Sequence, residues 1–211
     1  GTMSEPLTLG IVNKCIQDLS SLHGTTVVDQ DDPKVGIFLQ LLKAGSVIIP
    51  EPFKTALHIV QSGLDGVSVT FWLPGIGKVV YLARTASQDP VDRLSLWAHE
   101  LTHVTQIEEM GVSQAASDYL GSGHLRAQKE SNACGAQEWA RKTFGGELVE
   151  AGDVDRKLAR SLYHLDPDHL ALGAQIARSH LDSIASGELP PVRAAMEIRD
   201  WFKAYHPNVR P

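Results

Sequence analysis

Residues 67–84 alternate in polarity, and nothing after residue 89 does. Val67, Val69, Phe71 and Leu73 interleave with Ser68, Thr70 and Trp72, then Pro74-Gly75-Ile76-Gly77 turns the chain, and 78–84 returns rich in Val and Tyr. Side chains on a strand change face at every residue, so these two runs predict a β-hairpin with a four-residue loop. Beyond it the apolar period lengthens to that of a helix, predicting helices at 90–110, 124–144, 153–164, 168–186 and 191–204. Upstream the pattern is mixed. A helix over 7–22 stops at Gly24 and a strand follows at 25–28. Asp32-Pro33 opens a helix that Gly45 closes, a strand is expected at 47–49, and a helix at 53–61 ends at Gly63. Strands gathered ahead of a block of helices predict an α+β domain, with a small sheet and a helical C-terminal half.

The length of 211 residues fits a single domain over 3–211, read as an N-terminal part (3–66), the hairpin with the helices after it (67–144) and a helical extension (145–211). Hydrophobic residues make up 43% of the chain, enough to bury a core, and no apolar run reaches the length of a membrane span. The net charge is −6 with no basic block, which argues against a nucleic-acid partner, because phosphate contacts need clustered Lys and Arg. No charged-then-apolar leader follows Met3, and the location is left open between the cytoplasm and export without a visible signal peptide. Cys15 and Cys134 read as free thiols, although one disulfide is formally open to them.

The chemistry lies in the helix at 90–110. Asp89 can cap it, Pro90 fits its first turn, Asp92 suits its positive end and Gly111 can close it. Inside is His99-Glu100-Leu101-Thr102-His103. Residues four apart share a helix face, so both imidazoles can reach one ion at about 2.0–2.1 Å. Glu100 projects beside that pair and can reach a water without taking a coordination position. From this composition the pattern is expected by chance only about 0.02 times per chain, so it carries weight. Trp97, Leu101 and Val104 form a separate apolar stripe that can anchor the helix.

A catalytic zinc needs a third protein ligand. The candidates are Glu130, His124, Glu138, Glu109 and Asp118. Glu109 stands where a metzincin places its third histidine, but Gln106 replaces the glycine that turns that loop. Glu138 has Arg141 and Lys142 at i+3 and i+4, which reads as a solvated, ion-paired residue. Glu130 is flanked by Ala127, Ala133 and Cys134, a small-residue stripe that lets a second helix approach closely, and a carboxylate on such a face needs a partner. His124 can serve as ligand or transition-state donor, and Tyr119, Tyr163 and His164 are further oxyanion candidates. His164, Asp166, Asp168 and His169 crowd together, but Asp166-Pro167-Asp168 reads better as the cap of the next helix. Trp72, Trp97, Trp139 and Trp201 are expected in the core or a groove.

The run from Trp97 to Gln106, followed by Glu130-Ser131-Asn132-Ala133, resembles the zincin metallopeptidases. Within them it resembles the glutamate-liganded gluzincins, and more closely small bacterial metallopeptidase domains carrying H-E-L-x-H-V-x-Q. The resemblance spans about residues 67–144. It implies a zincin-like fold, Zn2+ held by His99, His103 and Glu130, Glu100 as general base, and a peptide or protein substrate. It also implies that extended substrate adds to a sheet edge, with the 67–84 hairpin as candidate. Two departures are visible. Twenty-six residues separate His103 from Glu130, and Cys134 stands where thermolysin-like enzymes carry an Asp four after the ligand Glu. The orientation of one histidine is left without an assigned partner. A peptide deformylase would need a cysteine ligand upstream of the motif, and none lies between Cys15 and His99. The rival expectations are a non-catalytic binding or assembly module on the same fold, and an amidase acting on non-protein peptides such as those of cell walls.

Overall fold

The computed structural model describes residues 3–29, 32, 68–73, 75–83, 88–159 and 165–209. Helix α1 runs Leu9–Leu22 and strand β1 Thr26–Asp29. Strands β2 (Val69–Leu73) and β3 (Gly77–Leu82) follow. Six more helices complete the described part: α2 (Pro90–Met110), α3 (Val112–Gly121), α4 (Gly123–Gly145), α5 (Ala151–Leu158), α6 (Pro167–Ala185) and α7 (Arg193–Tyr205). The fold is mixed α+β. The helix expected from Asp32, the strand at 47–49 and the helix at 53–61 lie outside the described residues, as do Tyr163 and His164.

The hairpin forms, with a tighter turn than expected. Leu73 pairs with Gly77, so Gly77 begins β3 instead of closing a four-residue loop; its φ of 92° suits only glycine comfortably. β3 is the middle strand, with β2 antiparallel on one side and β1 parallel on the other. Its unbroken burial from Val79 to Leu82 shows that both faces of the sheet are covered there. Helix α3 is an addition to the expected helices.

The helix termini follow local chemistry. Thr8, Asp89, Ser122 and Asp166 each accept a hydrogen bond from a backbone N–H of the first turn. Asp166 is thus a cap, as expected. Gly146, in the left-handed region, ends α4, and Lys142 Nζ donates to its carbonyl at 2.9 Å. At the end of α1, the buried ring of His23 bonds Glu108 of α2 at 2.7 Å and Glu197 of α7 at 2.8 Å. Glu5 and Val209 form a parallel bridge, with the Glu5 N–H donating to the Asn208 carbonyl at 2.9 Å.

One apolar core joins α1, β3, α2, α4, α6 and α7 around Leu94, Trp97, Leu101, Val104, Ala136 and Ile198. Trp97, Trp139 and Trp201 belong to it, whereas Trp72 is exposed. Cys15 and Cys134 are buried free thiols. One close helix approach involves Gly135 of α4: a Cβ there would lie 2.6 Å from Cδ2 and 2.8 Å from Cγ of His180 on α6. That imidazole is buried and its Nε2 is bonded to Asn132 Oδ1 at 2.8 Å, so it cannot simply swing aside. Gly135→Ala is expected to cost about 1–3 kcal/mol of stability, read as a lower urea midpoint. An unchanged midpoint would mean that the α4–α6 contact is loose.

Candidate metal centre

Helix α2 is buried over most of its circumference, so its motif lies inside the molecule. Trp97, Leu101 and Val104 are fully buried, fixing the rotation of the helix. His99 and His103 then face α4. There Glu130 is buried opposite the imidazoles, while the neighbouring Ala127, also fully buried, lies against Gly173 of α6.

The three side chains converge. His99 Nε2 and His103 Nε2 are 3.3 Å apart. Glu130 Oε2 lies 3.4 Å from His99 Nε2, and its Oε1 lies 3.3 Å from His103 Nε2. Four ligands placed tetrahedrally at about 2.0–2.1 Å from an ion stand about 3.3–3.4 Å from one another. The nitrogen–nitrogen separation matches that edge length, and the carboxylate meets each imidazole through a different oxygen. His99, His103 and Glu130 form a buried group that can hold a metal ion, and no other such group exists among the described residues.

The outer partners decide which nitrogens are free to bind. Gln106 Nε2 donates to the Lys129 carbonyl at 3.3 Å, which fixes that amide, so Gln106 Oε1 accepts from His103 Nδ1 at 3.0 Å. His99 Nδ1 lies 3.0 Å from Gln137 Oε1 in the same manner. With hydrogen on Nδ1, a neutral imidazole carries its lone pair on Nε2. Two lone pairs and a carboxylate therefore point at one place, which requires either shared protons or a cation. In the metal-free protein, protons fill that role. Burial opposes charge on His99, but hydrogen bonds to Cys134 and Glu130 and the field of Glu100 outweigh it, holding the ring well above the usual imidazole value. His103 is also raised: burial is outweighed by Glu130. Burial would raise Glu130 as well, yet the two imidazoles hold its carboxyl well below the usual range.

Glu100 is buried but stands outside the convergent group. Its charge reaches both imidazoles, and its Oε2 accepts a 2.5 Å hydrogen bond from Thr70 Oγ1 on β2. Cys134 touches His99, but its sulfur is not one of the convergent ligand atoms. Gln137, two helical turns beyond Glu130, gives His99 Nδ1 the partner that the Cys134 position left unassigned.

The other candidates are placed elsewhere. His124 is exposed, with its Nε2 3.3 Å from Gln128 Nε2, and sits six residues before Glu130, about 9 Å along the same helix. Tyr119 lies on α3, and its side chain is outside the described residues. Asp118 accepts from Gln114 at 2.6 Å, and Glu109 pairs with Arg193 at 3.6 Å. Glu138 is ion-paired, with Arg141 and Lys157 each at 3.6 Å, but it is 1% exposed and not solvated; its helix face turns towards α5. Sequence reasoning missed Gln106 and Gln137, whose spacings of three from His103 and seven from Glu130 were available signals. It also missed Thr70, which lies 30 residues away and offers none.

Gln106→Ala is expected to lower divalent-metal affinity by about 10–100-fold, the usual weight of an outer partner. His124→Ala should leave it unchanged. Competition with a chromogenic chelator measures both, and the reverse ranking would overturn the ligand set. Compared with family models, with curated proteins and with solved structures, the chain matches none of them.

Proposed function

We propose that this chain is a zinc-dependent metallopeptidase that cleaves peptide bonds with Glu100 as general base. The observation that carries this reading is a division of labour among buried groups. Three of them converge, each offering a ligand atom within 4.8 Å of the others, and a fourth, Glu100, is held beside them on a separate hydrogen bond. A purely structural site takes four protein ligands, whereas a catalytic one takes three and leaves a position open. His, His and Glu are also the donor set that suits zinc.

Bound there, zinc supplies Lewis acidity, polarising a scissile carbonyl and making water acidic near neutral pH. His99 and His103 present Nε2 because Gln137 and Gln106 hold their Nδ1 hydrogens. Glu100 accepts one proton from the attacking water as the C–O bond forms. It then donates that proton to the departing amine nitrogen as the C–N bond breaks. β2 is an edge strand in the described sheet, beside Glu100, and supports an extended peptide as the substrate.

The test is metal analysis of the purified protein together with turnover of a broad peptide library. One zinc per chain and chelator-sensitive cleavage are expected. Zinc without cleavage of any peptide would favour a binding module, and cleavage confined to cell-wall peptides would favour an amidase.

A further inference from the structure

We propose that Thr70 is a positioning residue that holds the carboxylate of Glu100 in the orientation used for proton transfer. This inference rests on the peptidase reading above and is framed so that the two can fail separately. Thr70 is nearly buried and sits in the middle of β2, where its register opposite Val80 fixes its height over α2. Its hydroxyl has one hydrogen and two acceptors within range: Glu100 Oε2 at 2.5 Å and the Glu100 carbonyl at 3.3 Å. The shorter contact, to the charged oxygen, takes the hydrogen.

Three consequences follow from that geometry. Glu has three side-chain torsions, and an unrestrained carboxylate on a helix samples many of them. The Thr70 bond removes that freedom. It also makes the two oxygens unequal: Oε2 is committed to Thr70, so Oε1 is the oxygen left to exchange the proton. Finally, the support comes from the sheet and not from α2, so the base is located relative to the edge strand on which an extended substrate would lie.

The alternation of β2 shows that this placement is specific. Ser68, Thr70 and Trp72 share one face, and Val69 and Phe71 the other. The polar face is the one turned towards α2 at Thr70, with Thr70 buried and Val69 and Phe71 only partly so. Opposite Val80, that face brings the Thr70 hydroxyl to the buried carboxylate of Glu100, which is not in the metal group.

The experiment compares Thr70→Val, which keeps volume and loses the hydroxyl, with Thr70→Ser, which keeps the hydroxyl. Thr70→Ala replaces Val if the latter does not fold. Two quantities are read at full zinc occupancy. One is kcat and KM on a peptide substrate. The other is calorimetric affinity for acetohydroxamate, a zinc-directed ligand whose hydroxyl hydrogen-bonds to the neighbouring carboxylate. Thr70→Val should lower kcat by about 10–100-fold with little change in KM, and weaken acetohydroxamate by about 10-fold, the weight of one hydrogen bond to a charged group. Thr70→Ser should restore both to within about 3-fold. Because Thr70 acts through Glu100, Thr70→Val should add almost nothing to the loss of acetohydroxamate affinity in a Glu100→Ala background, where the bond to Thr70 is gone.

Acetohydroxamate affinity unchanged by Thr70→Val would overturn the proposal. So would a loss of acetohydroxamate affinity that persists in full in the Glu100→Ala background, which would mark a structural effect. A wild type that cleaves no peptide but shows the expected acetohydroxamate cycle would retain the positioning role and discard the peptidase reading. A wild type that binds neither zinc nor acetohydroxamate would discard both.

Discussion

Glu100→Gln should leave zinc bound and the fold intact while lowering peptide hydrolysis by about 10²–10⁴-fold, the usual contribution of a general base. The substitution keeps the shape of the side chain, and the amide oxygen can still accept from Thr70. What disappears is the ability to take a proton. Zinc content should survive because Glu100 is not one of the convergent ligand atoms. Turnover at matched zinc occupancy is the measurement, with the thermal midpoint as the folding control. Equal turnover would remove Glu100 from the chemistry, and loss of zinc would make it a ligand instead.

Glu130→Ala should lower zinc affinity by more than about 100-fold, exceeding the 10–100-fold typical of an outer partner. Two histidines remain, and two ligands seldom retain zinc. Glu138→Ala should cost stability without costing zinc, because it strands the Arg141 and Lys157 charges and touches no ligand. The same group predicts a pH signature. In the metal-free protein His99 and His103 are raised above 6.5, so they bind protons more tightly folded than unfolded. That stabilisation is complete below pH 6.5 and is lost as pH rises through the raised values. Zinc must displace those protons, so its affinity rises over the same interval. Chelated protein should therefore lose thermal stability as pH climbs from 6.5, while zinc confers a growing increment, about 2.7 kcal/mol once free zinc reaches 100 times its Kd. An increment that is flat with pH would contradict the paired-proton description of the metal-free site.

The motif helix was legible because its signals are local. Asp89, Pro90 and Gly111 mark its ends, and two histidines four apart need only helical geometry to share a face. Glu130 was also legible, since a carboxylate set among small residues such as Ala127 and Ala133 needs a partner. Glu138 misled for the opposite reason: its neighbours Arg141 and Lys142 say nothing about α5, which covers it. Thr70 was beyond reach. Its partner is 30 residues away, and the alternation of β2 names two faces without saying which one meets α2. The parallel pairing of β1 with β3 is equally non-local, because strand propensity carries no information about partners.

The bridge between Glu5 and Val209 has a bearing on how this unit can be rewired. Its two ends leave from one spot, secured by the Glu5–Asn208 hydrogen bond and by His206 against the Glu5 carboxylate at 3.2 Å. A short flexible splice can join them, and new ends can be opened at the exposed Gly187 between α6 and α7, far in sequence from both metal-binding helices. By the same geometry the whole unit can be seated in a surface loop of a host protein, entering and leaving through a single doorway without prising apart α2 and α4.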